Sequence, residues 1–229
     1  MQVVILAGGL GTRLKPITEK VTKVMVEIHG RPFLEYQFEY LKKFGLKKFL
    51  LLVHYLAGQI ENYFKRGHAF GIEIDYSLEE GPMGTAGGLK IAAPKLEESF
   101  LLINGDTFYP IDFKEFLSQA AGVKEGGLIA VYQNQEKVAP NNLKVELDGL
   151  ISATADGKNQ KELNGVDGGV SFYHKKILDF IPEGKKCSLE KDVYPILIQQ
   201  RLLRAYFTNR RYYDMGTFER LDIIKKVLS

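Results

Sequence analysis

The chain has 229 residues, 45% of them hydrophobic and 26% charged, a balance that suits an ordinary globular protein with one large core. The formal net charge is +3 and the isoelectric point is near 8.7. No basic stripe or run goes with that excess, the nearest being Asn209-Arg210-Arg211, so no nucleic-acid partner is expected. The single cysteine, Cys187, excludes an internal disulfide, and the opening Met1-Gln2-Val3-Val4-Ile5-Leu6-Ala7 has no basic leader and stops at two glycines. It reads as neither signal peptide nor membrane span, and a cytoplasmic chain with no membrane contact is expected.

In chain order, short apolar runs alternate with helical patterns, the rhythm of βαβ units in a mainly parallel sheet. Gln2 to Leu6 predicts a buried first strand. Pro32 can open a helix whose apolar face holds Leu34, Phe38 and Leu41, and Gly45 suits its stop position. Phe49 to Val53 predicts a strand, Ala57 to Lys65 a helix, and the alternating Ile72 to Tyr76 a half-exposed strand. Phe100 to Ile103 predicts a buried strand, Asp112 to Ala121 a helix and Leu128 to Tyr132 a strand. A hairpin is expected over Asn142 to Thr154 around Asp148-Gly149. Val166 to Tyr173 is strand-like, Leu189 to Gln200 helical, Arg204 to Phe207 a late strand and Phe218 to Leu228 a closing helix. With no repeat and no linker, residues 1–229 are expected to form a single domain.

Directly after the first strand comes Leu6-Ala7-Gly8-Gly9-Leu10-Gly11-Thr12-Arg13-Leu14. A strand feeding a glycine-rich loop lets backbone N–H groups approach phosphate oxygens with no Cβ in the way, and the Arg13 guanidinium can grip two oxygens at once. A Walker loop is excluded because no Gly-Lys-Ser/Thr follows. A dinucleotide fold is excluded by the glycine spacing and because the second strand ends in Val53-His54-Tyr55 rather than an acid. Asn104-Gly105-Asp106 closes a central strand, where α/β sheets bind ligands. A carboxylate there suits Mg²⁺ held against phosphate oxygens, although Asp106 also suits a plain turn.

The first loop resembles that of the sugar-1-phosphate nucleotidyltransferase family, Ala-Gly-Gly-x-Gly-Thr-Arg-Leu, and further family motifs follow in order along nearly the whole chain. The family's lysine motif appears as Thr22-Lys23-Val24-Met25 without its prolines, followed by Gly30-Arg31-Pro32. Gly84-Thr85-Ala86-Gly87-Gly88 matches the family's Gly-Thr-Ala-Gly, and Tyr213-Asp214-Met215-Gly216-Thr217 its Asp-x-Gly-Thr. The resemblance implies a Rossmann-like, GT-A-type three-layer α/β sandwich with a mixed, mostly parallel central sheet. It also implies catalytic roles for Arg13, Lys23 and Asp106, and a Mg²⁺ shared by Asp106 and Asp214. Leu6, Ala7, Gly8, Gly9, Gly11, Thr12, Gly84, Thr85, Ala86 and Asn104 are expected at the nucleotide. Asp167 and Gly168, where the family has Asn-x-Gly, Glu190 in Ser188-Leu189-Glu190-Lys191-Asp192, and Lys158 are expected at the sugar. Ser188 and its acidic followers read equally as a helix cap.

Glu79, five residues before Gly84, offers a carboxylate with two acceptors, which suits the adjacent N1–H and N2–H₂ donors of guanine; Glu80 is its rival. These features look most similar to heptose-1-phosphate guanylyltransferases, with mannose-1-phosphate guanylyltransferases and the small uridylyltransferases of muramic acid recycling as competitors. With the chain ending on its closing helix, the β-helix domain of bifunctional relatives is not expected. The expected partners are a nucleoside triphosphate and a sugar 1-phosphate, the expected state a monomer or small homo-oligomer. The alternatives are a silent regulatory homologue and a transferase for a non-sugar phosphate.

Overall fold

The computed structural model of the chain describes residues 1–155 and 160–229. Seven strands form its central sheet: β1 (Gln2–Leu6), β2 (Lys48–Val53), β3 (Glu73–Leu78), β4 (Ser99–Asn104), β5 (Gly127–Tyr132), β6 (Val166–His174) and β7 (Leu203–Thr208). Their spatial order is β7-β5-β6-β4-β1-β2-β3. All neighbours pair in parallel except β6, which runs antiparallel to both β4 and β5. The expected mixed, mostly parallel sheet is therefore present.

Because side chains alternate across a strand, β1 feeds both faces. Val3 and Ile5 join the core formed with α1 (Phe33–Lys42), α2 (Ala57–Phe64) and α4 (Phe113–Ala120). Val4 joins the opposite core with α3 (Gly84–Ile91) and α5 (Tyr194–Gln199). Helices thus cover both faces, which is the three-layer arrangement a mainly parallel sheet requires. A third cluster packs α6 (Phe218–Val227), through Leu221 and Ile224, on Leu14, Ile28, Phe33 and Met215. No helix among the described residues is long and apolar enough to cross a membrane.

Two predicted elements differ in detail. Pro32 stands just before α1 in extended conformation, pairing with Glu27, rather than in the first turn. The predicted helix over Leu189 to Gln200 divides into a π-type turn, Leu189–Val193, and α5. Pro195 has no amide N–H, so the bonding pattern cannot run on through it. The hairpin around Asp148-Gly149 is present, pairing Leu143–Val145 with Ile151–Thr154. Parallel register brings the ends of β1, β2, β3 and β4, at Leu6, Val53, Leu78 and Asn104, to one edge of the sheet. The candidate site forms along that edge.

Candidate active site

A cavity of about 350 Å³ opens where these strands end, with Gly8 and Gly9, Lys23, Glu79 and Asp106 on its walls. The loop after β1 is folded tightly. A Cβ on Gly8 would meet the His54 Cβ at 3.1 Å. Gly11 has φ +61, and a Cβ there would come within 2.7 Å of the Thr18 Cγ2, while the Thr18 hydroxyl donates to the Gly11 carbonyl at 2.8 Å. Gly9 is exposed with nothing near its α-carbon, leaving its backbone open to a ligand. Arg13 is exposed on the following turn, and its Nη2 lies 3.5 Å from where a Cβ on Gly216 would stand.

Lys23 is 8% exposed, and its ammonium is ion-paired with Oδ2 of Asp106, whose Oδ1 accepts from the Thr107 hydroxyl at 3.1 Å. A two-residue antiparallel ribbon sets Asp214 opposite Thr107, and the Met215 amide donates to the Asp106 carbonyl at 3.0 Å. Two aspartates more than a hundred positions apart are thereby placed on paired segments. Asp214 accepts from the Gly216 amide at 2.7 Å and pairs with Arg220 at 2.7 Å.

At the other end of the cavity Glu79 is 9% exposed, held by its own amide donating to the Val53 carbonyl at 2.9 Å. Burial pushes its carboxyl above the usual range, against the pull of the Met83 amide and the His54 charge. A Cβ on Gly88 would lie 2.5 Å from Glu79 Oε1, so a larger residue there would displace this carboxylate. His54 lines the cavity beside it, with Nδ1 2.9 Å from the Glu79 carbonyl.

The start of α3 is stitched to a distant segment. The amides of Ala86 and Gly87 donate to the Cys187 carbonyl at 3.0 and 3.2 Å, and the Cys187 amide returns a bond to Met83 at 2.8 Å. The Thr85 hydroxyl accepts from the Leu189 amide at 2.8 Å and donates to Glu190 at 3.1 Å. The Ala86 and Gly87 amides are therefore already satisfied within the chain, and the helix start is packed closely on this segment.

An adjoining cleft shares Leu6, Asn104 and Glu190 with the main cavity and adds Asp167 and Tyr194. Asp167 accepts from the Gly169 amide at 2.8 Å and from the Tyr194 hydroxyl at 3.2 Å; the Tyr173 hydroxyl in turn donates to Tyr194 at 3.1 Å. Enclosure pushes Asp167 up to about 6, with the Glu190 charge adding to the rise and the two hydrogen bonds opposing it. Gly168 is required because a Cβ would overlap the Tyr109 ring.

The model of the nucleotidyl transferase family matches residues 2–228. The chain belongs to that family. A D-glycero-alpha-D-manno-heptose 1-phosphate guanylyltransferase of Campylobacter jejuni is 35% identical to this transferase over 83% of its length and 84% of the relative. The protein of the same name from Aneurinibacillus thermoaerophilus is 32% identical over 94% and 93%. The crystal structure of HddC from Yersinia pseudotuberculosis superposes with a TM-score of 0.83 at 29% identity, covering 100% of this chain and 99% of that one. The same protein complexed with GMP-PN gives 0.80 at 28% identity, with the same coverage.

Of the residues singled out from sequence, Leu6, Gly8, Gly9, Lys23, Glu79, Gly84, Thr85, Asn104, Asp106 and Glu190 border the transferase's main cavity. Ala7 and Ala86 are buried behind it, at 1% and 0% exposure. Gly11 and Thr12 shape the turn that carries Arg13, away from the cavity wall. Glu80 is exposed and off the cavity, unlike Glu79. Ser188 accepts from the Lys191 amide at 3.3 Å while Glu190 lines the cavity, so capping and pocket-lining coexist in one motif. Lys158 lies outside the described residues. His54, Tyr194 and Arg220 were not anticipated. The position of His54 just past a strand's carboxyl end was a usable signal, whereas nothing local marks Arg220 as the partner of Asp214.

Proposed function

We propose that this transferase moves a guanylyl group from GTP to a manno-configured sugar 1-phosphate, a manno-heptose or mannose 1-phosphate, giving a GDP-sugar and pyrophosphate. The observation that carries the base assignment is the Glu79 carboxylate, buried in the cavity wall after the edge strand β3, whereas Asp106 follows β4, three places along the sheet. Its two acceptor oxygens match the paired donors of guanine, and such donors favour the ionised form that burial disfavours. The names of the two guanylyltransferase relatives support the same base and sugar.

In the proposed reaction an oxygen of the sugar phosphate attacks the α-phosphorus in line. The bond to the bridging oxygen breaks, and pyrophosphate leaves with the electron pair. The nucleophile is already an anion, so the protein's task is to position two anions and neutralise them. Gly8 and Gly9 present backbone to the phosphates, and Arg13 reaches the β and γ groups. Lys23, released from Asp106, meets the α-phosphate. Asp167 and Glu190 face the sugar from the adjoining cleft.

Asp106 and Asp214 would hold Mg²⁺. Two hard carboxylates on paired segments, one of them on the cavity wall, form a donor set that fits an ion which takes few protein ligands and completes its shell with water and phosphate oxygens. When bound, the ion supplies charge neutralisation at the transferring phosphate. A cytoplasmic enzyme acting as a monomer or small homo-oligomer completes this reading.

The test is pyrophosphate release with Mg²⁺, each of the five nucleoside triphosphates, and manno-heptose, mannose, glucose and N-acetylmuramic acid 1-phosphates. Release is expected with GTP and a manno-configured acceptor. Turnover with UTP alone would overturn the Glu79 assignment, and silence with every pair would overturn the reaction. Asp106→Ala should lower turnover by roughly two orders of magnitude or more and Lys23→Met by roughly one to three. Near-wild-type turnover in either variant would remove that residue from the mechanism.

A further inference from the structure

We infer that Gln37, a residue of α1 outside the cavity, is the positioning residue that holds Asp106 in place for transfer. This rests on the reading of Asp106 given above. Gln37 is 3% exposed, and its Nε2 donates to two carbonyls, Asn104 at 3.0 Å and Thr107 at 2.6 Å. These carbonyls flank the Gly105-Asp106 turn. One side-chain amide therefore clips both ends of the segment that carries Asp106.

The amide orientation is set by its partners. Turned over, Oε1 would face two carbonyl oxygens and no donor. As placed, Oε1 is buried and has no hydrogen-bond partner among the described residues. An apolar side chain of the same size would fill this space without an orphaned acceptor. Packing alone gives no reason for glutamine here, and the double donation does.

Two further bonds reach the turn, and neither engages the carbonyls that Gln37 holds. The Gly105 amide donates to the Leu6 carbonyl at 3.1 Å, and a Cβ on Gly105 would stand 2.5 Å from that oxygen. On the far side the Asp106 carbonyl accepts from Met215. The first residue of α1 also donates, from the Phe33 amide, to the Val26 carbonyl at 3.0 Å, just past the Lys23–Met25 turn. Through Gln37 and Phe33 a single helix is tied to the segments that carry the two members of the Lys23–Asp106 ion pair. It thereby sets their separation before any substrate arrives.

The test compares Gln37→Met, Gln37→Leu and Asp106→Asn with the wild-type enzyme. Loss of the clip should lower kcat by roughly 10- to 100-fold while the KM values for nucleotide and sugar phosphate stay within about threefold. Amide exchange over residues 105–108 should accelerate while β4 and the rest of α1 remain protected. A folded Gln37→Met or Gln37→Leu enzyme with wild-type kcat would overturn the inference. If neither variant folds, Gln37→Asn, whose shorter side chain cannot span both carbonyls, decides: a kcat lowered by roughly tenfold or more supports the clip, and wild-type kcat overturns it. Asp106→Asn separates the two levels of the argument: full turnover there sinks the reading of Asp106 itself, whereas a dead Asp106→Asn beside a normal Gln37→Met sinks Gln37 alone.

Discussion

Asp167 shows how one residue can be chosen against its surroundings. Its carboxyl is ringed by the Gly169 amide, the Tyr194 hydroxyl and the Glu190 charge. Its value rises from 3.8 in the unfolded chain to about 6 when folded, so folding favours the proton. That contribution to stability is whole below about pH 4 and is lost as the pH climbs through about 6. At neutral pH the ionised group therefore costs up to about 3 kcal/mol. Asp167→Asn cannot ionise, and Asn can still accept from Gly169 through its Oδ1. The variant should be more stable than wild type by about 1–3 kcal/mol at pH 8 and no more stable at pH 4. Denaturant unfolding at the two pH values measures this, and an equal difference at both would show that the carboxyl is not under strain. The departure from asparagine was legible in the sequence. The Tyr194–Tyr173 chain behind it was not, because it approaches from a separate element.

The same division holds for whole elements. The runs Gln2 to Leu6 and Phe100 to Ile103 announced their strands to within a residue, since burial on both faces demands an unbroken apolar run. Gly84 to Gly88 stood out in the sequence as a family motif, but not for what it packs against. The crowding at Gly84 comes from Cys187, about a hundred residues further on, and that at Gly88 from Glu79. Periodicity reports the buried face of a helix and not the segment that occupies its end. Gly88→Ala would force its methyl into the Glu79 carboxylate, displacing a side chain held at the end of the nucleotide cavity. Overpacking of this kind costs about 1–3 kcal/mol, and here the carboxylate has the cavity to move into. KM for GTP should rise roughly tenfold with the sugar-phosphate KM little changed. An unchanged KM for GTP would mean that Glu79 does not meet the base.

Across the whole molecule, the sheet order explains why Gly8, Glu79 and Asp106 meet at one edge, and the ribbon through Thr107 brings Asp214 alongside. Nothing in the apolar run of β6 distinguishes a parallel from an antiparallel strand, so its reversal within the sheet follows from topology rather than composition. Without substrate, the site's opposite charges satisfy one another, Lys23 with Asp106 and Arg220 with Asp214. On the proposed roles, drawing Lys23 from Asp106 toward a triphosphate weakens their ion pair, and a divalent cation at Asp106 would offset that loss. Nucleotide and metal should therefore bind cooperatively, and both should raise the stability of the folded chain. At about 100 times its Kd, GTP with Mg²⁺ should contribute about 2.7 kcal/mol, a rise in Tm of about 5–11 °C for a chain of this size. Chelation with EDTA should remove most of that rise. In Asp106→Asn, where no carboxylate holds Lys23, the nucleotide-induced rise should be indifferent to EDTA. Scanning calorimetry of both proteins, with and without Mg²⁺, measures the coupling. An equal GTP-induced shift in EDTA and in Mg²⁺ would show that Lys23 is free to bind phosphate without any cation at Asp106.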